Sequence, residues 1–113
     1  MRHLLLIAVF LAFPLHLLAG EIAGVVFIRE HGESRPLEGA EVIVACEDAS
    51  SATATSTRGG FYRVLGPGVT GRCDVSVGYD GLRSNTISVM IAGDTSVALV
   101  IEQIKDRLQL RKG

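Results

Sequence analysis

From Ile22 to Ile101 the apolar residues recur at every second position, and most of them are Val or Ile. A helix repeats its buried face about every 3.6 residues and a strand every two, so this spacing excludes nearly all helix before residue 100. Glu21 to Ile28 is the first strand expected, with Ile22, Val26 and Ile28 on one face. Glu30 to Pro36, polar and carrying Gly32, reads as a loop. In Glu41 to Glu47, Val42, Val44 and Cys46 share a face, identified as inward by the charges of Glu41 and Glu47 opposite it. Ser50 to Thr57, made of Ala, Ser and Thr, reads as a weak strand at a sheet edge, and Gly59-Gly60 turns it into Phe61 to Leu65. Arg72 to Tyr79 places Cys73, Val75, Val77 and Tyr79 inward.

Asp80-Gly81 is a hairpin signal, because both central residues of a type I′ turn need positive φ. Ser84 to Ile91 then buries Ile87, Val89 and Ile91, Gly93-Asp94 turns the chain, and Ser96 to Gln103 buries Val97, Leu99 and Ile101. Short strands separated by turns at regular spacing predict an all-β fold, a seven-stranded antiparallel Greek-key sandwich. Beyond it, the tail 105–113 reads as an added strand turning at Lys105-Asp106, with a helical turn as the alternative.

The segment before the first strand has different chemistry. Met1-Arg2-His3 is a short positive region, Leu4 to Phe13 is apolar, and Ala19-Gly20 offers small residues for cleavage, the pattern of a signal peptide over residues 1–20. Pro14 and His16 interrupt the run, which is shorter than the ~20 residues a membrane helix needs. The expected location is therefore periplasmic or extracellular, with one domain over 21–104. Among 113 residues, 11 are basic and 12 acidic, and removing the leader takes away only Arg2. That balance, without a basic patch interleaved with aromatics, argues against a nucleic-acid partner.

Cys46 and Cys73 are the only cysteines, both follow the export signal, and both have inward parity. A structural disulfide is expected, formed as the two strands face each other across the core. On the chain-entropy model, closing the loop between them stabilises by about 3–4 kcal/mol. Two cysteines and a distant His31 do not supply the four ligands of a structural metal site, and no cofactor is expected. Glu30, His31 and Glu33 read as a solvated loop rather than an acid/base cluster. The Ser50–Thr57 hydroxyls lack a nucleophile elbow, and Asn85 has no core lysine for an isopeptide bond. Tyr62 and Tyr79 alternate with Val64 and Val77, which assigns them to the core rather than to a sugar platform.

Three segments carry a resemblance. Ile22-Ala23-Gly24-Val25-Val26, Pro36-Leu37-Glu38-Gly39-Ala40-Glu41-Val42 and Gly60-Phe61-Tyr62-Arg63-Val64-Leu65-Gly66-Pro67-Gly68 together resemble the carboxypeptidase regulatory-like domain, a transthyretin-like (prealbumin-like) sandwich. Gly39, Gly60, Pro67 and Gly68, like Asp80 and Gly81, then serve as structural turn residues. Thr57 stands where the family often has an Asp, so a hydroxyl replaces a turn-stabilising carboxylate. Such domains are usually non-catalytic modules. A hydrolase of the transthyretin-like class would need several histidines and a characteristic C-terminal tetrapeptide, which this sequence lacks. The expected function is an exported, non-enzymatic module that binds a protein or cell-envelope component through loops or the edge strand around Ala52 to Ser56. Carbohydrate binding is the alternative, and a small hydrolase centred on His31 the remaining one.

Overall fold

A computed structural model describes residues 20–48 and 50–113. The expected signal peptide therefore lies, except for Gly20, outside the described residues. Eleven strand segments follow one another: β1 (Gly20–Glu30), β2 (Glu33–Pro36), β3 (Glu41–Cys46), β4 (Ser51–Thr55), β5 (Phe61–Gly66), β6 (Gly71–Tyr79), β7 (Leu82–Arg83), β8 (Ile87–Ile91), β9 (Asp94–Ser96), β10 (Leu99–Ile104) and β11 (Arg107–Lys112). They form two sheets, and the chain is an all-β sandwich. One sheet is built on β1, flanked by β5 and β2 along one side and by β9 and β10 along the other, with β11 outside β10. The second runs β4-β3-β6, with β7 and β8 both on the far side of β6.

Between the sheets lie the residues whose alternation marked them as inward. Ile22, Val26, Leu99 and Ile101 of one sheet and Val42, Val44, Val75 and Val77 of the other are fully buried. Each such side chain contributes about 1.5–3 kcal/mol through loss of water contact. Ser56 and Ser76 are the buried polar residues among those described. The Ser56 hydroxyl donates to the Leu37 carbonyl at 2.6 Å and accepts from the Ala40 amide at 2.9 Å, pinning the chain ahead of β3.

Three expectations change, and the tail keeps the strand expected of it. The segment Glu30–Pro36 is not a loop: His31 and Gly32 adopt φ of 53° and 80° and close a two-residue hairpin that pairs β2 with β1. The strand expected over Ser84–Ile91 is split. Ser84 still pairs with Val77, but the register to β6 then slips by one residue before Ile87 meets Val75, a bulge at Asn85-Thr86. The strand expected over Ser96–Gln103 is likewise two pieces, β9 and β10, which keep one register along β1 and run parallel to it. The tail is a strand: β11 pairs with β10 through a turn in which Lys105 has φ 60°, and it buries Leu108 and Leu110 in the common core.

The interruption between β9 and β10 has a local cause. The Val97 carbonyl sits directly over Gly24 of β1, where a Cβ would approach it to 2.1 Å. Tyr62, the cross-strand partner of Gly24, spans this gap, and its hydroxyl donates to that carbonyl at 2.6 Å. Burial holds the Tyr62 phenol well above the ordinary tyrosine range. Its proton is thus retained in the folded chain after the unfolded chain has lost it, so the stability contribution is whole below about pH 10 and declines as pH rises beyond it. Denaturant titrations between about pH 8 and 11 should show this loss in the native protein and a smaller one in Tyr62→Phe.

The bulge places Asn85 against the last strand. Its side-chain amide donates to the Leu110 carbonyl at 3.2 Å and accepts from the Leu110 amide at 2.8 Å, so it bonds as a strand residue would. With the parallel bridge between Ser84 and Leu108, this seals β11 onto the second sheet. Asn85→Ala strips both Leu110 groups of their partner and should cost about 1–2 kcal/mol, read as a lower denaturation midpoint at unchanged slope.

Candidate functional site

In an antiparallel pair the amide and carbonyl of one residue point to the same side, and successive residues point to opposite sides. Cys46 donates to the Ser50 carbonyl and Ser56 donates to the Ala40 carbonyl, both at the ends of the β3–β4 ladder. Ala52 and Ala54, lying between them in the same phase, are therefore bonded to Val44 and Val42. The amides and carbonyls of Ser51, Thr53 and Thr55 point the other way, off the edge of the sheet. β4 pairs with β3 alone.

The edges of β2, β11 and β8 are managed differently, whereas β5, paired with β1 alone, leaves the amides and carbonyls of Arg63 and Leu65 outward beside the Arg63 charge. On β2, Pro36 has no amide to offer and Glu30 pairs with Arg35 at 2.6 Å beside it. On β11, Leu108 and Leu110 are occupied by Ser84 and Asn85. By the same phase argument, the β8 edge presents only Ser88 and Met90. β4 carries no charge, no proline and no bulge; its side chains are Ser, Ala and Thr, with Ser51, Thr53 and Thr55 exposed. The expected edge is thus an edge, and it offers three consecutive open rungs.

At one end of β4 stand Glu47 and Asp48, and at the other Arg58. Asp48 accepts the Ser50 amide at 2.9 Å, which starts the strand. Glu47 lies 3.9 Å from Arg72, both exposed. At Thr57 the backbone closes the turn, its amide donating to the Phe61 carbonyl at 2.9 Å and its carbonyl accepting from Gly60 at 2.8 Å. The Thr57 hydroxyl donates to the same Phe61 oxygen at 3.4 Å, a bond a carboxylate could not make. Gly60 has φ 81°, and a Cβ there would meet the Val26 carbonyl at 2.8 Å. Gly39, Asp80 and Gly81 likewise have positive φ, at 85°, 53° and 76°. Pro67-Gly68 turns the chain with Val69 donating to Gly66 at 3.1 Å. Gly68 is needed for closeness, since a Cβ would fall 2.1 Å from the Ser50 hydroxyl.

Cys46 and Cys73 are joined, with sulfurs 2.10 Å apart and Cα atoms 4.0 Å apart. The bond does not cross the core as expected. The two residues are direct partners on neighbouring strands β3 and β6, both buried, at a rung where Cys46 bonds to β4 rather than to β6. Opposed residues approach most closely at such non-bonded rungs. The crosslink therefore holds β3, the strand that carries β4, within its sheet.

The remaining candidates do not assemble. His31 stands exposed at the tip of the β1–β2 hairpin, Glu30 is held by Arg35, and Glu33 lies opposite Glu30. Among the described residues no group of three or more His, Cys, Asp or Glu converges. Tyr62 is buried and hydrogen-bonded, and Tyr79 is partly buried against the core. Phe61 and Leu65, 61% and 58% exposed, flank Arg63 on the outer face of β5, where Arg63 pairs with Glu21. A groove of about 410 Å³ between β7 and the β10–β11 hairpin is lined by Arg83, Arg107, Ile104 and Leu108. No helix among the described residues is long and apolar enough to cross a membrane. No known family model matches the chain, and no curated protein matches it in sequence.

Sequence reading reached the β4 edge by composition but missed Asn85 as its counterpart on the sealed side. The available signal was the polar run Ser84-Asn85-Thr86, which breaks the alternation ahead of Ile87.

Proposed function

We propose that this chain is an exported, non-enzymatic sandwich module of the carboxypeptidase regulatory-like type, which binds a protein or cell-envelope component by adding a strand to β4. The observation that carries this reading is the set of outward amides and carbonyls at Ser51, Thr53 and Thr55. Short side chains let a partner backbone approach, and edge addition supplies affinity through main-chain bonds. The buried disulfide supports residence in an oxidising compartment.

The test is Thr53→Pro. Proline at this position deletes an outward amide without taking a bond from β3, as edge strands tolerate. Native and variant proteins, each immobilised, are exposed to envelope extract and the retained proteins identified by mass spectrometry. Partners held by the native protein should be lost from Thr53→Pro, whereas identical retention on both would overturn binding through β4.

A further inference from the structure

We infer that one partner strand fitted to the β4 edge is β4 of a second copy of this chain. This rests on the open-edge reading above and names its occupant.

The open rungs are symmetric about Thr53. An antiparallel neighbour related by a two-fold axis at Thr53 sets Thr53 opposite Thr53, Ser51 opposite Thr55 and Thr55 opposite Ser51. Every residue in that list presents its amide and carbonyl outward, so each pair exchanges two hydrogen bonds and no rung is wasted. On the exposed face the pairing brings hydroxyl side chains together, a favourable cross-strand combination. Ala52 and Ala54 meet on the other face, with too little bulk to hold the backbones apart.

Charge selects the same direction. Glu47 and Asp48 stand at the start of β4 and Arg58 beyond its end. Antiparallel pairing brings the acidic end of each copy towards the Arg58 end of the other, and does so twice; parallel pairing would set like against like. Arg58 makes no ion pair among the described residues and is exposed. The interface is isologous and closes at two copies, because each chain spends its single β4 edge. Five residues a side is a small contact, so the association is weak and concentration-dependent.

Sedimentation equilibrium of the oxidised protein, from about 10 µM to about 1 mM, tests this. The native mass should rise from one chain towards two, less so at high salt, while Thr53→Pro stays at one chain. Thr53→Lys, which sets two charges face to face on the axis, should also stay at one chain and serves should the proline variant fail to fold. Thr53→Cys should form a covalent dimer under mild oxidation, since opposed Cα atoms about 5.5 Å apart are within disulfide reach, whereas Ser96→Cys should not. A native protein that remains one chain throughout, or a Thr53→Lys variant that dimerises as the native does, overturns the inference. If the native protein stays monomeric while Thr53→Pro has lost its envelope partners, self-pairing falls and the open-edge reading stands.

Discussion

Reduction of the Cys46–Cys73 bond is expected to lower the melting temperature by roughly 12–32 °C. The chain-entropy estimate for this loop is about 3–4 kcal/mol, and for a domain of this size each kcal/mol moves the midpoint by about 4–8 °C. The separation of 27 residues encloses β4 and β5, which belong to different sheets, so the crosslink restrains much more than a hairpin. Losing it releases the end of β3 from β6, and with it the support of the β4 edge. The double variant Cys46→Ala/Cys73→Ala should melt at a similarly lowered temperature. Protein unfolded without reductant should take up no alkylating reagent, and two modified cysteines would refute the bond.

The second large effect is at Gly24. Gly24→Ala should destabilise the domain by about 3 kcal/mol, at the upper end of what overpacking costs, because the new methyl meets the Val97 carbonyl and not a side chain that can turn away. Relief would require β9–β10 to lift from β1, breaking the Val97 amide bond to the Ala23 carbonyl and the Tyr62 bond to the Val97 carbonyl. The loss should appear as a lower denaturation midpoint. Gly32→Ala is the useful contrast: a Cβ at Gly32 would touch nothing within 4 Å, so its cost is only that of a positive φ on an exposed hairpin, about 1 kcal/mol.

Alternation made the core legible. Val42 and Val44, Cys73 to Val77, Val89 and Ile91, Leu99 and Ile101 all point where a period of two and the opposing charges assign them. What alternation does not carry is which strand lies beside which. Inward parity is the same for a disulfide within a sheet and for one between sheets, so the Cys46–Cys73 bond was foreseeable and its placement was not. β2 was invisible because Glu33, Ser34, Arg35 and Pro36 are all exposed and no apolar residue marks a buried face. The break at Val97 depends on a carbonyl seated over Gly24 of β1, far away in the sequence, a tertiary contact with no local sequence signature.

The site divides in the same way. Ser, Ala and Thr in succession identified β4 as an edge, since such a strand buries too little to sit at the centre of a sheet. That its open groups belong to Ser51, Thr53 and Thr55, rather than to the alanines, follows only from the hydrogen-bond phase set by Cys46 and Ser56 against their neighbours. The sealing of the opposite side by Asn85 depends on a one-residue bulge that fixes where its amide lands.

Amide hydrogen exchange along β4 tests the central claim most directly. In dilute oxidised protein, the Ala52 and Ala54 amides should be protected by β3 while those of Ser51, Thr53 and Thr55 exchange freely, and protection should extend to these three when a strand occupies the edge. Uniform protection of Ser51 to Thr55 in the dilute, unbound protein would mean that the edge is already covered, and would contradict the account.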